Sequence, residues 1–306
     1  MKKPDFFIVG APKCGTESLD NYLRQHPEIF MGRRERHYFG KDLDFVPTRH
    51  RMDEAEYLDM FADAGGAIHR GEKSVWYIYS QSAPHEMKAF HPDAKVIIML
   101  RNPVDQMYSL YFQMLFTLDE DVQSFEEALS LEDQRRAGGN LPPFCTMPRK
   151  VFYRANAHYT DYVQHYLDVL GPDHVHIIIF DDLASDAAGV MRKLLIFLEL
   201  NSDFEFDLRI HNANKVWRSR LVRTMQARST QYYRMIPRSA RAYVPDSLVN
   251  GIKHSLLPAV DRWNRVYQKR PPMDTVLRHE LQAEFLPEVE RLSVLIGRDL
   301  THWCKE

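Results

Sequence analysis

Two stretches of this chain combine residue types and spacings suited to holding anions. The first is Gly10-Ala11-Pro12-Lys13-Cys14-Gly15-Thr16-Glu17-Ser18, which follows the apolar run Phe6-Phe7-Ile8-Val9. A buried strand, a glycine loop and a helix in that order form a phosphate cradle, because successive N–H groups and the helix N-terminus point at the anion. The plainer reading is a tight turn with two glycines. In the nucleoside-triphosphate loop, lysine follows the second glycine and the next Ser/Thr holds magnesium. Here Thr16 follows Gly15 and Lys13 stands two residues before it, placed to meet a different atom of the ligand. The second stretch ends the run Val96–Leu100 with Arg101, then Asn102-Pro103, with Ser109 eight residues past the arginine. A magnesium enzyme of this kind typically carries an aspartate near such a strand. An arginine offers instead a bidentate grip on a second phosphate, although a surface arginine capping a strand would read the same way. Together the two sites point to a nucleotide phosphorylated at two separate places and to chemistry that needs no metal.

The elements that must position these residues are legible in part. Phe6–Val9, Val96–Leu100 and Val175–Phe180 are near-continuous apolar runs, the pattern of strands buried on both faces. A helix is expected from about Thr16 to Arg24, and Asn102-Pro103 opens another with an N-cap residue and proline at the first helical position. Amphipathic faces recur at Tyr159, Tyr162, Val163, Tyr166 and Leu170, and again at Leu281, Phe285, Val289, Leu292 and Ile296. Strands alternating with helices imply a parallel sheet wrapped by helices. We expect an α/β fold: one P-loop-like domain over residues 1–306, its central parallel sheet flanked by helices on both faces. Irregular or helical insertions are expected at about 115–150 and 209–272.

Composition narrows the classes. Forty Lys and Arg against forty-two Asp and Glu leave a net charge of −2 in 306 residues, so no global field points to nucleic acid. No apolar run approaches the ~18 to 20 residues that span a bilayer, and the apolar part of the opening segment is too short for a signal peptide. Cys14, Cys145 and Cys304 are too few and too scattered for a disulfide framework or a zinc site. A cytoplasmic protein is expected. One local departure from neutrality stands out: from Arg209 through Pro245 there are nine Lys or Arg and no acidic residue. That segment reads as a site for an anionic acceptor, as part of the nucleotide site, or as a solvated basic face.

At these motifs the chain resembles the sulfotransferases that use 3′-phosphoadenosine-5′-phosphosulfate (PAPS), with the carbohydrate (heparan-type) branch and its bacterial relatives nearest in pattern. Lys13 to Ser18 is similar to that family's 5′-phosphosulfate loop, and Arg101 to Ser109 to its 3′-phosphate motif. Arg34-Glu35-Arg36-His37-Tyr38-Phe39 resembles the segment that supplies a glutamate base. Gly71-Glu72-Lys73-Ser74 resembles the segment whose lysine lines the reaction centre, and Gly297 to Trp303 the tail of bacterial members. The pattern departs at Glu17, where the family more often has Thr or Ser.

The resemblance implies sulfuryl transfer from PAPS to a hydroxyl or amine of a glycan, lipid or small-molecule acceptor, releasing the bisphosphate PAP without a metal. Lys13 would meet the bridging and leaving phosphate oxygens. Gly15, Thr16 and Ser18 would cradle the 5′-phosphate, with Cys14 a small filler of that loop. Arg101 and Ser109 would hold the 3′-phosphate, and Asn214, Lys215 and Arg218 are further candidates to contact the nucleotide. Glu35 is the candidate base, with His37 its rival, since imidazole titrates near neutrality unaided. Arginines 33, 34 and 36 are expected to lower the pKa of Glu35 and weaken it. Lys73 would steady the sulfuryl oxygens or orient Glu35. Trp76, Tyr77 and Tyr79 either stack on a sugar or pack as core. The alternatives are a P-loop nucleotide kinase and a non-catalytic module that binds nucleotides or polyanions.

Overall fold

A computed structural model describes residues 3–33, 35, 37–44, 52–209, 215–235 and 257–305. Five parallel strands, β1 (Phe6–Gly10), β2 (Ile29–Met31), β3 (His69–Lys73), β4 (Lys95–Leu100) and β5 (Val175–Ile179), form a sheet of order β2-β3-β1-β4-β5. The central strand β1 is fully buried, paired on one side with β3 (Ile8 opposite Lys73) and on the other with β4 (Ile8 opposite Ile97). This is why its sequence is uninterruptedly apolar. The pairing brings the carboxyl ends of β1, β3 and β4 to the same end of the sheet, and the residues Lys13, Lys73 and Arg101 all follow from those ends.

Helices α1 (Thr16–Leu23), α2 (Glu54–Asp59), α3 (Ala83–Phe90), α4 (Pro103–Thr117), α5 (Phe125–Ser130), α6 (Glu132–Arg136), α7 (Tyr153–Ala157), α8 (Thr160–Leu170), α9 (Phe180–Ser185) and α10 (Ala187–Phe197) follow in order. Beyond them lie α11 (Arg220–Met235), α12 (Leu257–Asn264) and α13 (Thr275–Ile296). The chain has the expected α/β architecture, a parallel sheet flanked by helices. The start of α4 is as read: Asn102 Oδ1 accepts from the N–H of Val104 at 3.0 Å, and Pro103 opens the helix. None of the helices among the described residues is long and apolar enough to cross a membrane.

Contacts divide the chain into two compact units. One comprises Met1–Leu115, Asp119–His211 and Met273–Glu306; the other comprises Phe116–Leu118 and Asn212–Pro272. In the first, the stretch between α4 and α7 is pinned by a buried pair: Arg135 donates twice to the Glu120 carboxylate at 2.7 Å, and Tyr153 Oη adds a third bond at 2.8 Å. In the second, β6 (Lys215–Trp217) and β7 (Arg265–Tyr267) pair antiparallel. There Trp217 stacks on Phe116 with ring centroids 4.5 Å apart, and its Nε1 donates to the Phe116 carbonyl at 2.6 Å.

Candidate active site

The loop after β1 is shaped by three left-handed residues. Gly10 has φ 152°, and a Cβ there would stand 2.6 Å from Ile78 Cγ2 and 2.8 Å from the Val75 carbonyl oxygen. Lys13 (φ 69°) and Gly15 (φ 93°) alternate with residues of negative φ, and a Cβ on Gly15 would press on the Phe180 ring at 3.0 Å. Such alternation turns backbone N–H groups inward as an anion-binding nest. Gly15 is the N-cap of α1 and brings no side chain to it. The N–H groups of Thr16, Glu17 and Ser18 therefore open the helix without intrahelical acceptors. The cradle fits a phosphate or sulfonate group.

Neighbouring elements hold the loop in place. The Ala11 N–H donates to the Met99 carbonyl at 2.7 Å, and Gln106 Nε2 on α4 donates to the Pro12 carbonyl at 3.0 Å. Arg101 NH1 reaches the Lys13 carbonyl at 3.4 Å, with its guanidinium 4.6 Å above the Phe180 ring. Lys13 Nζ donates to Gln113 Oε1 at 3.2 Å. Ser109, one helical turn before Gln113, is buried on α4. Cys14 points into the core, where burial pushes its thiol up to about 12 despite Arg101 and Lys13 nearby. It fills space in the core.

A second cluster gathers at the end of β3. Lys73 Nζ bonds to Glu17 Oε2, lies 3.6 Å from Glu35 Oε1 and 3.8 Å from Asp20 Oδ2. Asp20 in turn accepts from Arg24 Nε at 3.1 Å. Burial pulls the Lys73 ammonium down, but Asp20, Glu17 and Glu35 together outweigh it and hold Lys73 charged. Burial raises Glu35 above the ordinary glutamate range; Lys73 opposes that rise and Glu17 adds to it. The expectation that flanking arginines would acidify Glu35 is corrected in part. Arg33 turns outward to Asp63 at 2.6 Å, while Arg34 and Arg36 lie outside the described residues. Glu17 faces Lys73 rather than the helix N-terminus.

Beneath this cluster sits a buried carboxylate, Glu72. It accepts from Tyr57 Oη at 2.5 Å, Ser74 Oγ at 2.7 Å and Tyr77 Oη at 2.8 Å. Tyr77, with Trp76 and Tyr79, is core. His37 is buried as well, its backbone N–H on Ser74 Oγ at 3.3 Å and its ring 5.9 Å from that of Tyr77. The structure thus brings Lys13, Thr16, Glu17, Ser18, Lys73 and Glu35 to one end of the sheet, with Arg101 beside the loop. Arg218 belongs to the second unit, its guanidinium 5.2 Å from the Trp263 ring; Asn214 lies outside the described residues. Sequence reading missed Asp20, Gln106 and Gln113. Each stands one turn from a recognised residue, and helical spacing from Thr16 and Ser109 is the signal that finds Asp20 and Gln113.

The model of the sulfotransferase domain family matches residues 3–275. The chain belongs to that family. This sulfotransferase is similar to mouse carbohydrate sulfotransferase 15, with 27% identity over 248 residues, covering 64% of this chain and 44% of that one. It is similar also to mouse heparan sulfate glucosamine 3-O-sulfotransferase 3B1, at 28% identity over 64% of this chain and 46% of the relative. The chain thus spans less than half the length of these curated relatives. Among solved structures, a sulfotransferase from Alicyclobacillus acidocaldarius matches at 30% identity with a TM-score of 0.71, covering 99% of both chains. Membership places the chain among sulfotransferases and sets aside the P-loop kinase alternative.

Proposed function

We propose that this sulfotransferase moves the sulfuryl group of PAPS to a hydroxyl group of a glycan. The observation that carries the reading is the meeting of Glu35, Lys73 and the Lys13–Ser18 cradle at one end of the sheet. The N–H groups opening α1, with the hydroxyls of Thr16 and Ser18, hold the 5′-phosphate, and Arg101 with Ser109 holds the 3′-phosphate. Glu35 accepts the hydroxyl proton as the acceptor oxygen bonds to sulfur. The bond from sulfur to the bridging phosphate oxygen breaks, and Lys13 neutralises the charge that develops on that oxygen as PAP departs. Lys73 steadies the sulfuryl oxygens. Glu35 is favoured over His37 because it faces Lys73, whereas His37 packs against Tyr77. The glycan acceptor is supported by the names of the relatives, which act on carbohydrate and heparan sulfate.

Calorimetry tests the nucleotide half of this reading. AMP lacks the 3′-phosphate and would leave Arg101 and Ser109 unengaged. A charge-assisted hydrogen bond is worth ~1.5–3 kcal/mol, so PAP should bind at least tenfold more tightly than AMP. Equal affinities would remove the 3′-phosphate assignment. Turnover should also survive EDTA, since an arginine stands where a magnesium enzyme of this kind carries a metal-holding aspartate.

A further inference from the structure

We propose that Glu17 is a positioning residue of this reaction: by drawing the Lys73 ammonium onto its own carboxylate, it keeps Lys73 from closing on Glu35 and leaves Glu35 able to take the acceptor proton. The inference rests on Glu35 being the base and deepens that reading.

The geometry is one cation among three carboxylates. Lys73 bonds Glu17 directly and stays 3.6 Å from Glu35 and 3.8 Å from Asp20. Asp20 already has a cation of its own in Arg24. Asp20 still shares Lys73, so Glu17 and Asp20 together compete with Glu35 for it, Glu17 at the shortest distance. Among the described residues, the other charged groups near Glu35 are engaged elsewhere. Glu72 on β3 is saturated by three hydroxyls, Arg33 is engaged with Asp63, and His37 presents its backbone N–H to Ser74. A closed Lys73–Glu35 pair would stabilise the carboxylate and weaken it as a base, because an adjacent opposite charge favours the ionised form. Glu17 holds the Lys73–Glu35 pair at its longer separation of 3.6 Å, and its own negative charge beside Glu35 acts in the same direction. A Thr or Ser at this position, the more frequent choice in the family, has no charge with which to hold Lys73. The side chain of Glu17 is 55% exposed, so removing its charge leaves the core untouched.

The test is Glu17→Gln, read in two ways. In the free protein, carbon-detected NMR follows carboxyl titrations, with the Glu35 signal assigned by its loss in Glu35→Gln. The Glu35 midpoint should fall by about one pH unit when Glu17 becomes glutamine. In turnover with PAPS, the acid limb of kcat/KM should move down by the same amount. The plateau should drop by about three- to tenfold as the base weakens, and PAP affinity should hold or tighten. A residue that merely repelled the nucleotide would change PAP affinity and leave both titrations where they were. An unchanged Glu35 midpoint therefore overturns the proposal. A shifted midpoint in a protein that transfers no sulfuryl group would overturn the catalytic reading itself and leave only the contact.

Discussion

At the scale of single residues, burial outweighs neighbouring charge at Cys14 and Glu35, whereas at Lys73 the surrounding carboxylates win. The Cys14 thiol lies within the phosphate loop and near two cations, yet burial dominates and holds it at about 12. Alkylation of the native protein at pH 8 should spare Cys14, while unfolded protein reacts there; mass mapping of a labelled native Cys14 would refute this. Glu35 follows the same rule in the opposite functional direction. Burial raises its pKa, so the proton-accepting form is lost as pH falls through a value above the ordinary glutamate range. The acid limb of kcat/KM should accordingly lie above about pH 4.3, the ordinary glutamate value, and should be absent in Glu35→Gln. Spacing alone pointed to Lys13, Thr16, Arg101 and Ser109 as candidates, because phosphate loops demand particular residues at particular offsets. It could not reveal that Glu17 and Asp20 share Lys73, since an acid in the first helical turn, as Glu17 is, reads as an ordinary dipole complement.

Among the elements, β3 shows most clearly where sequence patterning fails. His69-Arg70-Gly71-Glu72-Lys73 carries no apolar residue, yet it is an inner strand of the sheet. Its polarity is absorbed by specific partners, Glu72 taking three hydroxyl donors and Gly71 admitting the Phe6 ring. Hydrophobic periodicity sees neither device, and β2, three residues long, is too short to show a period. The strands β1, β4 and β5 were legible for the opposite reason, being mostly apolar, with Lys95 and His176 their only polar residues. A Cβ on Gly71 would come within 2.2 Å of Phe6 Cζ and 2.5 Å of Met31 Sδ. Gly71→Ala should therefore destabilise the fold by about 1–3 kcal/mol through overpacking. Denaturant unfolding reads this directly, and a loss below 0.5 kcal/mol would contradict the packing described. Replacing Arg135 by Met should cost about 3–5 kcal/mol, because Glu120 would stay buried without its cation.

Across the whole molecule, near-neutrality conceals a separation of charge. Residues 212–272 carry thirteen Lys or Arg against two Asp, leaving twenty-seven against forty in the remainder of the chain. Net charge alone hides this asymmetry, which the basic run from Arg209 to Pro245 already announces in the sequence. A protein of net charge −2 should thus still be retained on a heparin column, and exposed Arg228 and Arg262 are suitable probes. Replacing both by Ser should lower the eluting salt concentration, since surface attraction of this kind is screened within about 10 Å at 0.1 M salt. Unchanged elution would assign retention to other groups. The central claim is sulfuryl transfer with Glu35 as base. Its most direct test is transfer of labelled sulfate from PAPS to glycan acceptors by the wild type, Glu35→Gln and His37→Ala, with PAP affinity measured on each. A positioned base contributes ~100- to 10,000-fold. The account predicts that Glu35→Gln loses at least 100-fold in kcat with PAP affinity unchanged, while His37→Ala retains transfer. Full turnover by Glu35→Gln, or its loss in His37→Ala with PAP still bound, would contradict it.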